Sequence, residues 1–75
     1  MSQKRKLARE MNTLENEIKA LESKRSRSMA VIMEAMLSQA NPNDTDVQFF
    51  RMFNAEIEIK REQLQKLTKQ LERLL

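Results

Sequence analysis

Seventy-five residues with no cysteine and no histidine make a chain too short for a large core, and they close the disulfide, zinc and haem routes by which small domains are usually stapled. Glycine is absent and proline occurs once, which excludes a β-rich fold built on tight turns, while 33% charged residues fit long helices or coiled coils. The net charge of +3 lies in the first half: residues 1–40 hold eight bases against five acids, and residues 41–75 hold six of each.

In chain order, residues 1–3 are expected to fray. Ser2 offers a cap, but Lys4, Arg5 and Lys6 follow at the positive end of a helix dipole. From Leu7 the apolar residues Leu7, Met11, Leu14, Ile18 and Leu21 alternate in steps of four and three. That spacing draws one narrow seam down a helix. Continued, the seam meets Arg25 and Ser28 and then resumes at Ile32 and Ala35. Beyond Ser28 the residues Met29, Val31, Ile32, Met33, Met36 and Leu37 point nearly all round the helix. A helix that is apolar all round is buried on several sides. One partner helix covers only one of them, so this segment calls for a third helix, from a copy of the chain or from another protein.

The first helix is expected to stop near Ala40, because Asn41 precedes Pro42 and a residue before proline is pushed out of helical angles. Two starts are open for the second helix: Thr45 as cap in a capping box closed by Gln48, or Asn41 as cap with Pro42 as first helical residue. The second seam runs Phe50, Phe53, Ile57, Lys60, Leu64, Leu67, Leu71 and Leu74, with Phe49, Met52 and Ile59 lying off it. Glu56 to Lys60 and Glu62 to Lys66 add favourable pairs along this helix, each contributing about 0.2–0.5 kcal/mol. The expected fold is therefore all-α, an antiparallel two-helix hairpin of coiled-coil type: one domain over 1–75, with a helix at 4–40, a turn at 41–44 and a helix at 45–75. It is completed by oligomerisation or a partner. Folding at the turn pairs positions whose numbers sum to roughly 84. Leu21 then faces Leu64, and Arg25 and Ser28 come level with Lys60 and Glu56 in one polar layer, with Glu22 and Glu56 as neutralisers of Arg25 and Lys60.

Catalysis is not expected. Ser and Thr have no His or Cys to activate or replace them, and without Gly there is no phosphate-cradling loop. Carboxylates such as Glu15 and Glu22 read as solvated helix charges. Asn43–Asp46 lacks the glycine and distal glutamate of a calcium loop and reads as capping. No catalytic residue, cofactor or metal ligand is assigned. No apolar run approaches the ~20 residues of a membrane span, and the basic start QKRKLARE leads into charge and not into the apolar core of a signal peptide, so a cytoplasmic location is expected. Lys24, Arg25 and Arg27 form a basic segment that would suit an acidic partner or nucleic acid. Against the latter, the chain has no Tyr or Trp for stacking, and its three Phe cluster near the turn. A dimer of hairpins gripping RNA, in the manner of plasmid copy-control proteins, stays open as an alternative.

The two-helix plan and the polar turn Asn41-Pro42-Asn43-Asp44, with apolar residues on both sides of it, resemble small components of bacterial type III secretion systems. The chain is most similar to the short hairpin co-chaperones that hold needle subunits soluble before export. The needle subunits themselves are hairpins with such a turn, but they are usually less charged and lack so regular a leucine seam. The resemblance implies binding to a second chaperone and to a secreted helical subunit. The function expected is a non-enzymatic interaction module, with a self-assembling structural hairpin as the alternative. Its partner-binding surface would be Met29, Met33, Met36, Leu37, Phe49, Met52 and Phe53.

Overall fold

In the computed structural model, which describes residues 2–75, two α-helices lie antiparallel: α1 (Gln3–Leu37) and α2 (Asp44–Leu74). The rod they make measures 55 × 16 × 14 Å. Fraying of Met1 lies outside the described residues. Ser2 is the cap of α1, its hydroxyl accepting from the Arg5 amide at 3.2 Å, and Gln3 is already helical. That bond satisfies one of the amides a helix start leaves bare.

The seam governs packing over the full length of both helices. Every expected seam position, from Leu7 to Ala35 and from Phe50 to Leu74, is buried or half-buried. Only Leu7, Ile18, Leu21 and Ile57 are buried among the described residues, and Ile57 alone is wholly sealed. Ile18, Leu21 and Ile57 form the core cluster, with Phe53 and Leu64 packed against it.

The turn departs from expectation. α1 ends at Leu37, three residues before Ala40, and the connection spans 38–43 and not 41–44. The reason is local chemistry. Gln39 takes a left-handed φ of 59°, its amide donates to the Met36 carbonyl at 3.0 Å, and the Ala40 amide donates to the Ala35 carbonyl at 2.9 Å. These two bonds define a Schellman cap, which closes the helix before the proline acts on it. At the other side neither expected cap is used. Asn43 caps α2, its Oδ1 accepting from the Thr45 amide at 2.8 Å. This start sets Asp44 and Asp46 in the first turn, where the helix dipole favours carboxylates; a cap at Thr45 would have left Asp44 outside.

An earlier helix end moves the fold axis, and the register moves with it by about one turn. Lys60 donates to Glu17, not to a carboxylate beside Arg25. Arg25 donates to Asn54 Oδ1 at 2.9 Å. Glu22 accepts from Arg61 at 3.2 Å and so does not serve Arg25, while Glu56 is exposed. The single polar layer expected from Arg25 and Lys60 is thus two crossings, one on each side of the buried Ile57 and Leu21.

Candidate protein-interaction surface

Apolar surface is left over at the turn end of the rod. Met29 is 37% exposed, Met33 53%, Met36 63% and Leu37 83%, while on α2 Phe49 is 46% and Met52 45% exposed. Phe53, counted with these in the sequence, sits in the seam against the core cluster and only stacks on Phe49, with ring centroids 6.2 Å apart. Besides Leu75 at 88%, two apolar side chains outside the expected partner-binding set are exposed: Val31 at 46% and Ile59 at 56%. Both lie off the seam, and that was the signal that could have found them.

The exposed side chains do not make one patch. A helix advances about 100° per residue, so Met29, Met33 and Met36 share a stripe of α1. Met29 and Met33 line a hollow of about 380 Å³ with Phe50 and Asn54 of α2. On α2, Phe50 and Asn54 lie to one side of Ile57, whereas Phe49, Met52 and Ile59 lie to the other. The rod therefore presents a methionine face on one flank and a Phe49–Met52–Ile59 edge on the opposite flank. That second edge continues away from the turn. Gln63 borders Ile59 in a small hollow, and it also lines a larger groove of about 580 Å³ whose apolar walls are Leu14 and Leu67.

The basic segment is divided in the same way. Lys24 and Arg27 are exposed, but Arg25 is half-buried in the seam and committed to Asn54. The three cations do not act as one patch. The rod carries no buried polar side chain among its described residues, and no group of three or more acidic side chains there is placed to hold a metal ion. No helix among them is long and apolar enough to cross a membrane. What this arrangement offers chemically is uncovered apolar area beside a thin core. No protein-family model matches the chain, and neither a curated protein nor a solved structure matches it.

Proposed function

We propose that the chain is a non-enzymatic interaction module, a small cytoplasmic chaperone or assembly protein that covers an apolar helix of its partner with the methionine face. The observation that carries this is the exposure of Met29, Met33 and Met36 on one stripe above the Phe50 hollow. Three flexible thioethers in a row adapt to a partner's side chains at little conformational cost to the backbone. An amphipathic helix laid along such a stripe buries its own anchors at the same spacing. The resemblance to needle-subunit co-chaperones gives the class of partner: a secreted helical subunit held soluble until export.

The test is covalent capture. With a photoreactive diazirine analogue replacing Met33, irradiation in the cell of origin is expected to link the chain to a helical segment of a second protein, located by mass spectrometry. Met33→Gln with Met36→Gln is expected to abolish association with that protein while helicity and melting temperature stay unchanged, since both side chains are more than half exposed. Capture of water alone at position 33 would refute the reading.

A further inference from the structure

The opposite flank carries a different message. We infer that the Phe49–Met52–Ile59 edge and the Leu14/Leu67 groove are one surface that docks a second copy of this chain, running antiparallel. The inference rests on the reading that this chain works by association, but it concerns the flank that the methionine face leaves free.

Self-complementarity about a two-fold axis is the first argument. A symmetric dimer buries one patch against itself, so every protrusion on one side of the axis needs a recess at the same distance on the other. Ile59 lies at the middle of α2, fifteen residues or about 22 Å at ~1.5 Å per residue from either end of that helix, in a rod 55 Å long. An axis through Ile59 therefore overlaps the two rods along their whole length. Phe49 precedes Ile59 by ten residues; Leu67 and Gln70, which line the groove, follow it by eight and eleven. The protruding ring of one copy is thus brought level with the groove of the other. Ile59 meets its own copy at the centre.

Charge fixes the direction. The turn end, residues 30–52, holds three acids (Glu34, Asp44, Asp46) against one base, Arg51. The far end, residues 2–19 with 62–75, holds eight bases against five acids. Antiparallel copies set the acidic end of each rod against the basic end of the other, and parallel copies set like against like. Across an interface such complementarity selects orientation and excludes the wrong one.

Area is the third argument. A compact monomer of 8.9 kDa exposes about 4,800 Å², whereas this chain exposes 5946 Å². The excess is of the order of the ~800 Å² that each partner gives up in a standard-size interface. One covered flank brings the chain to the ordinary exposure of a folded protein.

Because the chain has no cysteine, a single introduced thiol reports contacts cleanly. In full-length Ile59→Cys, mild oxidation at low protein concentration is expected to give a disulfide-linked dimer, since residue 59 faces itself across the axis. Met33→Cys, on the opposite flank, is expected to stay unlinked. By sedimentation equilibrium the parent chain is expected to have the mass of two chains, and Ile59→Glu that of one, with two carboxylates opposed at the axis. A parent chain that is monomeric at every concentration would overturn the inference, and so would linkage through position 33 and not 59. Photo-capture at Met33 reads the other flank, so a monomer that still captures its partner rejects the dimer alone.

Discussion

Gln39 shows how a chain without glycine ends a helix. The Schellman cap needs a left-handed residue after the helix, a position usually filled by glycine because any Cβ there costs about 1–2 kcal/mol. Gln39 takes it at φ 59°. Replacing it by glycine removes the steric cost but adds freedom to the unfolded chain, which returns part of the gain. Gln39→Gly is therefore expected to stabilise the hairpin by about 0.5–1 kcal/mol, read as a rise in denaturant midpoint at unchanged slope; a lower midpoint would contradict the cap geometry. The same residue explains why the helix end was not legible in the sequence. Asn41-Pro42 is a visible stop signal, whereas Ser38-Gln39-Ala40 contains none of the residues that announce a left-handed cap. At Asn43 the difficulty was competition, with Thr45 and Asn41 both chemically adequate. Two aspartates favourably placed in the first turn decided between adjacent options too close for pattern alone.

Along the helices, the seam was legible to the residue, because a four-three alternation admits only one apolar stripe. How one seam meets the other was not. A slip of one turn still sets apolar opposite apolar over most of the length, so the pattern alone tolerates either register. What fixes the register is the length of the turn together with the polar crossings, Arg25 with Asn54 and Glu17 with Lys60, on either side of Ile57. These crossings and the core between them differ in weight. Ile57 is 0% exposed and its truncation leaves a cavity between α1 and α2, so Ile57→Ala is expected to cost about 2–5 kcal/mol. The Lys60 and Glu17 side chains keep 29% and 43% exposure, so solvent screens their pair and its net worth is about 0–1 kcal/mol. Lys60→Leu is then expected to hold or raise the denaturant midpoint while weakening the preference for one register, visible as multiple amide resonances per residue. A large loss of stability in Lys60→Leu would mean that the ion pair, and not Ile57, anchors the rod.

For the molecule as a whole, the question is how a rod with four buried apolar side chains among its described residues stays folded. The sequence made the shortage visible, since a chain without cysteine or histidine has no disulfide or zinc site to staple it. It also placed the surplus apolar residues near the turn. It did not separate them into two flanks, because that division depends on where each side chain stands relative to Ile57 and on which groove lies beside it. If association adds to the burial, dimerisation is linked to folding, and dilution must destabilise the fold by mass action. A hundredfold dilution withdraws about 2.7 kcal/mol per dimer, and against an unfolding entropy of about 2.1 cal/mol/K per residue over two chains this lowers Tm by roughly 9 °C. Circular dichroism melts across that range are expected to show the shift for the parent chain and to lose it in Ile59→Glu, which should melt at one lower temperature at every concentration. A parent Tm that ignores concentration would mean that the seam alone carries the stability, and that the exposed edge serves no second copy.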